Sequence, residues 1–407
     1  MELYIFGFRS GAQLDQRLTP ATRIQSAPSI KVLWSSWCDA VIATADKAGS
    51  WTIEYMGNGL PVEHRTSLSE DQNLRNALSQ HDSMVKLFGS TMHQGLRGYM
   101  TTIPGTEMPG KRILLFKEDD DTQRGSLEVY NHAKCVDYDL VDMQYLSGGE
   151  VLLGERLCSA DEGRVLRIKC QQQLQRYLHS RRQPPAMQPP VADFWPAQWC
   201  SNATTSTALD VSGRVHTFTC DPRFPKCLGR PSEGASSFQM VPYLSETKIS
   251  RIASGGYMTA AVSTQGELFL WGQACPGATE ELHVLTDPGI PSQRDTNIPR
   301  GEHICLDGAQ DDYVKCLNVR IDGAEATVYD VAIGHGHILV AAEVLAVGKK
   351  PVLAVFAAGD NSRNQLSLDA ASPFVKSFQE VAMLRGKRVV HLSAVGWSST
   401  IVTAEKN

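Results

Sequence analysis

The segment "ISRIASGGYMTAAVSTQGELFLWG", Ile249 to Gly272, constrains the fold more than any other feature, because the chain repeats it. It reads as a short apolar strand, a Gly-Gly turn, a second strand "TAAVS", a tight turn at "TQGE" and a third strand "LFLW" ending on Gly272. Alternation and β-prone residues favour strands over helix, and glycine supplies the positive φ that such turns need. The pattern returns in "WCSNATTSTALDVSGRVHTFT" from Trp199. A shift of 53 residues sets Gly213 on Gly266, Ala208 on Ala261, Val215 on Leu268 and Phe218 on Trp271. Further copies place Leu33, Val331 and Leu392 on Ile252. Self-similarity at a period of about fifty residues marks a repeat architecture in which each unit buries its apolar face against the next.

Leu33 and Trp199 are 166 residues apart, room for two eroded copies. The candidates are "DSMVKLFGSTMHQGLRGYMTT" and "CVDYDLVDMQYLSGGEVLLG". Five clear copies and two eroded ones predict seven blades. The last copy, from Leu392, lacks its third strand and glycine, and the chain begins with that element: "FGFRSGAQL" from Phe6 matches "AGDNSRNQL" from Ala358. The expectation is therefore an all-β, seven-bladed propeller, closed by pairing the N-terminal strand with the C-terminal blade, which removes exposed sheet edges. Residues 1–407 then form one domain, with insertions at about 154–195 and 276–327. In the first, "EGRVLRIKCQQQLQRYLHSRRQ" predicts a short amphipathic helix with Leu174, Tyr177 and Leu178 on one side, packed on the rim, and "PPAMQPP" an extended connector. The second reads as a long loop.

Composition narrows the function. The formal net charge is −5, so no bulk positive charge invites direct nucleic-acid binding, and no basic cluster resembles a membrane patch. "ELYIF" lacks the basic region of a signal peptide, and no apolar run is long enough for a membrane span. Ten cysteines without C-x-x-C pairs read as reduced, mostly buried thiols. The sequon at Asn202 carries no weight without a secretory route. "GTEMPGKR" nearly spells a phosphate-binding loop, but Arg112 stands where Ser or Thr would hold magnesium, and a strand follows instead of a helix; a hairpin turn is the better reading. "KEDDDTQ" at Lys117 reads as a solvated acidic loop. His335 and His337, two apart, would share a strand face, but no third metal ligand accompanies them. No catalytic fingerprint is found. The expectations are no catalytic residue, no metal and no cofactor; a channel-centred hydrolase has no positive evidence.

The pattern I-A-x-G-G-x-x-T-A-x-V-x-x-x-G-x-L-x-x-W-G, with the trailing G-x-x-x-x-x-Q-L, resembles the regulator of chromosome condensation family of seven-bladed propellers. The resemblance spans nearly the whole chain, strongly from Trp199 onward and over the first fifty residues. It departs at the family's turn histidine, replaced here by Asp39, Thr205, Met258 and Ser398 and kept only as His337. No basic tail for chromatin precedes Glu2. The layout is similar to the small single-propeller adaptor members, such as the fungal alpha-tubulin suppressor, or killer-toxin-insensitivity protein. The resemblance implies a non-enzymatic protein-binding adaptor or regulatory subunit, with a partner such as a small zinc protein or modification enzyme of the tRNA wobble-uridine and diphthamide pathways. The alternative is a guanine-nucleotide exchange factor for a small GTPase. Either would be monomeric in itself, and cytoplasmic or nuclear. Equivalent turns should point to one end of the propeller. That places Trp37, Asp39, Tyr257, Met258, His335, His337 and Trp397 as candidate contacts, with the turns of Trp37, Asp39 and Trp397 close together. Large rigid aromatics dominate binding hot spots; the alternative is that Trp37 and Trp397 pack between blades and serve stability alone, as most aromatics do. Asp39, a carboxylate costly to bury unpaired, is expected to face water or a partner.

Overall fold

A computed structural model describes residues 1–7, 23–80, 83–92, 95–102, 111–116, 127–132, 138–146, 148–157, 162–179, 190–219, 221–232, 237–286, 304–310, 313–345, 348, 350–368 and 372–404. The acidic loop at Lys117, most of the near-miss phosphate loop, the Pro-rich connector and the middle of the second insertion lie outside these residues. Seven antiparallel sheets follow one another along the chain, and the fold is the expected all-β seven-bladed propeller. Contacts divide it into two compact units. One gathers residues 1–7, 23–26 and those from 197 onward; the other gathers those from 27 to 196.

In the second unit, blade 1 is Ser29–Ser35, Asp39–Ala45 and Trp51–Gly57. Two helices follow its third strand and pack against it, α1 (Val62–Glu70) and α2 (Gln72–Ser79). Asp71 lies between them and caps α2, accepting the Leu74 amide at 3.0 Å. Blade 2 is Val85–Ser90, Gly95–Thr102, Lys111–Phe116 and Leu127–His132, and blade 3 is Tyr138–Tyr145, Val151–Leu157 and Gly163–Ile168. These are the two eroded copies. The expected amphipathic helix is α3 (Gln171–His179), whose Leu174, Tyr177 and Leu178 are buried in the core of blades 2 and 3.

In the first unit, blade 4 is Pro196–Ser201, Thr205–Asp210, Val215–Thr219 and Gln239–Met240. Blade 5 is Ile249–Gly255, Met258–Ser263 and Leu268–Gly272. The chain then passes through α4 (His283–Thr286) and adds Val314–Ile321 beside the third strand and Ile304–Gln310 outside that. Blade 6 is Thr327–Ile333, His337–Val344, Val352–Asp360 and Phe374–Glu380. The residues aligned across the repeat occupy equivalent core sites: Ala208 and Ala261, Val215 and Leu268, and Phe218 and Trp271 are all buried in their second and third strands.

Blade 7 joins the chain ends. Val389–Val395 and Ser398–Thr403 come from the C-terminal side, and Glu2–Gly7 pairs with the latter from Glu2 opposite Thr403 to Gly7 opposite Ser398. The N-terminal side supplies two strands and not one, because Arg23–Ser26 adds outside Glu2–Gly7. Leu3, Tyr4, Ile5 and Phe6 are all buried. Lys387 bonds Glu2 at 3.1 Å and also Tyr4, fastening this strand to the segment that enters blade 7.

One backbone device recurs. The third strands of blades 1, 5 and 7 end on Gly57, Gly272 and Gly7, and that of blade 6 has Gly359 one residue before its end; each glycine lies opposite the first residue of the second strand and at positive φ. A Cβ at any of the four would lie 2.1–2.3 Å from the carbonyl oxygen of the turn residue before that second strand. Only glycine allows both the φ and the approach. Blade 4 has Thr219 there, and its hydroxyl donates to the corresponding carbonyl, of Thr204, at 2.7 Å. Gly7→Ala is expected to destabilise the protein by about 1–3 kcal/mol, the range for a residue forced into such a conformation. Equilibrium denaturation of the two proteins measures it; a change within about 0.5 kcal/mol, the range of an ordinary surface substitution, would contradict the close approach.

A cavity at the turn end of blades 5 to 7

The turn between the first two strands is built alike in several blades. In blade 1, Ser36 Oγ accepts the amides of Cys38 and Asp39 at 3.2 and 3.1 Å; in blade 4, Asn202 Oδ1 accepts those of Thr204 and Thr205 at 3.0 and 2.8 Å. Asn202 is buried by this work, so the sequon residue is a turn cap. The next residue links its turn to the following blade. The amides of Trp37, Ala203 and His335 donate to the carbonyls of Thr91, Gly256 and Gly396 at 3.0, 2.8 and 2.7 Å. Within each unit these bonds hold equivalent turns at the same end of their blades.

The position at which the sequence was compared with a turn histidine, the first residue of the second strand, is buried in four blades, at Asp39, Thr205, Met258 and His337, and half-buried in blade 7, at Ser398. For Asp39 this overturns the expectation of a water-facing carboxylate. It is 4% exposed and fully engaged: Trp34 Nε1 and Ser36 Oγ donate to Oδ1, and Tyr55 Oη and the Leu96 amide donate to Oδ2 at 3.0 and 3.1 Å. Burial beside this carboxylate pushes the Tyr55 phenol up. Four donors replace the lost hydration, and the Leu96 bond ties blade 1 to blade 2. His337 is likewise no surface contact. Its Nε2–H donates to Ser399 Oγ of blade 7 at 3.0 Å, and that hydroxyl donates to the Gln365 carbonyl at 2.8 Å. Nor does it share a strand face with His335, which lies in the turn.

The structure brings Met258, His335 and Trp397 together around one cavity of about 420 Å³ in the first unit. The segment after blade 5 forms its other wall. Gln273 donates its amide to the Tyr257 carbonyl at 3.1 Å, the Ala274 amide donates to Glu281 at 2.8 Å, and the Ala278 amide closes a turn on Cys275 O at 2.9 Å. The far end is tied to blade 6, where Lys376 pairs with Glu280 at 2.5 Å and His283 meets Ser377 Oγ at 3.1 Å. His335 packs against Trp397 with centroids 5.3 Å apart and planes at 67°, leaving the indole 37% exposed. Tyr257 sits beside the cavity, edge-on to Phe224 at 5.0 Å. Trp37, 38% exposed, and Asp39 belong to the other unit.

Cys275 Sγ lies 3.9 Å from His335 Nδ1. Burial pushes the thiol up to about 11, with the Asp360 charge adding to it, and burial pushes the imidazole down. Both are neutral near pH 7, so the pair is no activated thiolate and imidazolium. No group of three or more His, Cys, Asp or Glu among the described residues is placed to hold a metal ion. Six cysteines have described side chains and all six are free thiols: Cys227 is buried, Cys38, Cys200, Cys275 and Cys316 are half-buried, and Cys170 is exposed. Lys111 and Arg112 of the near-miss phosphate loop begin a strand, and their charges are spent on Asp139 at 2.8 Å and Asp71 at 2.6 Å. The cavity wall was missed in the sequence because residues 273–285 carry no strand or helix periodicity.

No family model and no curated protein matches the sequence. Similarity to solved structures spans the whole chain. Prp20p from Saccharomyces cerevisiae, in a study of its binding to Gsp1p and histones, superposes with a TM-score of 0.57 at 12% identity, over 100% of this chain and 92% of that one. Human WBSCR16 gives 0.55 at 12%, over 100% and 99%. Yeast RCC1 (Prp20) in complex with Kap60 gives 0.56 at 13%, over 100% and 90%. At these identities the likeness establishes the propeller fold.

Two substitutions test the buried turn positions. Asp39→Ala strands four donors and is expected to destabilise the chain by about 2–4 kcal/mol, since a buried unsatisfied group costs about 1–3 kcal/mol. An unchanged denaturation midpoint would show that Asp39 is not structural. His337, held down at about 4 by burial, stays neutral in the native state while the unfolded imidazole titrates near 6.5. Its contribution is present above pH 6.5 and is lost as pH falls towards 4. His391, also near 4, acts in the same sense; Asp330, pushed up to about 6 by burial, acts in the opposite one. The stability gap between wild type and His337→Gln should therefore narrow by about 2–3 kcal/mol from pH 7 to about 4.5. Parallel stability–pH curves would contradict a neutral buried His337.

Proposed function

We propose that this protein is a non-enzymatic adaptor or regulatory subunit that binds another protein through the turn end of its blades. The observation that carries the reading is the cavity beside Trp397: open, walled by a tethered loop and an incompletely covered indole, and holding a thiol and an imidazole that are both neutral. Trp37, Tyr257, His335 and Trp397 are the proposed contacts. Asp39, Met258 and His337 hold the turns that present them. The whole chain would act as one domain, with segments 154–195 and 276–327 as insertions, and as a monomer in the cytoplasm or nucleus. No described helix is long and apolar enough to cross a membrane.

Resemblance to the small adaptor members supports a place in tRNA wobble-uridine or diphthamide modification, beside a small zinc protein or a modification enzyme. A second reading is exchange-factor activity on a small GTPase. It is supported by the fold shared with Prp20p, whose binding to Gsp1p has been studied. Affinity purification of the tagged full chain, with mass spectrometry, separates the two. We expect a specific protein partner whose recovery falls at least tenfold with Trp397→Ala, while the variant's melting temperature stays within a few degrees. Equal recovery by the two proteins would place the interface elsewhere. If the partner is a GTPase and the chain accelerates release of its labelled GDP, the exchange reading replaces the adaptor.

A further inference from the structure

We propose that the cavity at the turn end of blades 5 to 7 is a socket for one basic side chain, a lysine or arginine, projecting from the bound protein. The inference rests on the protein-binding reading above and adds the chemistry of what enters.

Charge makes the first argument. Three carboxylates line the cavity, of Glu280, Glu281 and Asp360, and no lysine or arginine does among the described residues. Glu280 is matched by Lys376. Glu281 and Asp360 are not ion-paired among the described residues; each accepts a backbone amide. Ala274 donates to Glu281 Oε1, and Ser362 donates to Asp360 Oδ1, both at 2.8 Å. One oxygen of each is thus left for an incoming donor. An anionic group would meet two like charges. A purely apolar group would strip water from both carboxylates and give nothing in return. A cation supplies the missing charge and the missing hydrogen bonds together.

The shape of the lining makes the second argument. Most of the remaining lining is apolar, with Met258, Leu282, Leu285 and Phe374 among it. Lysine and arginine are the side chains that join an aliphatic stem to a charged tip. The exposed part of the Trp397 indole adds a surface on which a cation is attracted by the ring. At about 420 Å³ the cavity sits at the small end of ligand sites, a size suited to a side chain and its immediate backbone.

The full-length protein is to be titrated with N-acetyl-arginine amide, N-acetyl-lysine amide, N-acetyl-norleucine amide and N-acetyl-glutamate amide, followed by ligand-observed NMR. We expect saturable binding of the two basic probes at least tenfold tighter than that of norleucine, with no binding of glutamate. Asp360→Asn should remove most of that preference and leave norleucine binding unchanged. If this variant is not folded, as judged by its melting curve, Glu281→Gln takes its place. Equal binding of norleucine and arginine would reduce the cavity to an apolar hollow. Failure of both basic probes to saturate would also overturn the proposal. The adaptor reading fails separately: basic probes that bind, beside a purified partner retained equally by wild type and Asp360→Asn, would leave the socket standing and move the protein interface elsewhere.

Discussion

Six consecutive backbone partners, from Glu2 with Thr403 to Gly7 with Ser398, hold the two ends of the chain in one sheet. Without them the second strand of blade 7 would end the sheet with a row of unpaired backbone groups, the kind of edge that soluble β-proteins must cover. The pairing also brings four consecutive buried side chains, Leu3 to Phe6, into the core. Tyr4 and Phe6 join the cluster that blades 6 and 7 share, so the strand contributes packing as well as hydrogen bonds. The same strand ends on Gly7, which lies directly against the carbonyl of Trp397. The closure therefore shapes the turn that carries the indole wall of the cavity, and a local strand pairing becomes a condition for the binding site.

The turns themselves run on a shared plan with different chemistry. A first-position side chain caps the turn in blades 1 and 4, the next amide reaches the following blade, and a third-strand glycine makes room. The buried position at the start of the second strand then takes whatever polar or apolar group its own neighbours can satisfy. Asp39 is served by four donors, His337 by the Ser399 hydroxyl, and Met258 by apolar packing. The variety of residues at this position is thus no sign of a changing exposed surface. It is a set of different solutions to one burial problem, each bridging or filling the space towards the next blade. The side chains of Trp37, Tyr257, His335 and Trp397 take no part in this plan, and there the surface is free to diverge.

Much of the fold was legible because a propeller repeats its own constraint. The glycine close approach recurs in blades 1, 5, 6 and 7, and blade 4 keeps the apolar and turn spacing with Thr219 in the glycine's place, so these five blades and the closing strand could be read directly. Blades 2 and 3 were visible only as gaps of the right length with strand-like content, since their third strands do not end on the same glycine. The helices α1 and α2 went unread. Each is under three turns long, and Asp71, which interrupts their apolar rhythm, works as a cap. The site was read less well. Met258, His335 and Trp397, three of the seven turn residues named from sequence, line one cavity, but sequence reasoning misjudged Asp39, because the general rule that carboxylates avoid burial says nothing about donors supplied by Trp34, Tyr55 and another blade. The wall from Cys275 to Leu285 has no pattern to read; its shape comes from individual hydrogen bonds and one ion pair.

Native-state hydrogen exchange tests the closure most directly. The account predicts that the paired amides of Glu2–Gly7 and Ser398–Thr403 exchange only through the same large opening that exposes the core strand His337–Val344 of blade 6, with protection that follows global stability as denaturant is added. Rapid exchange of Glu2–Gly7 through local fraying, while His337–Val344 stays fully protected, would contradict the claim that this strand holds the structure together.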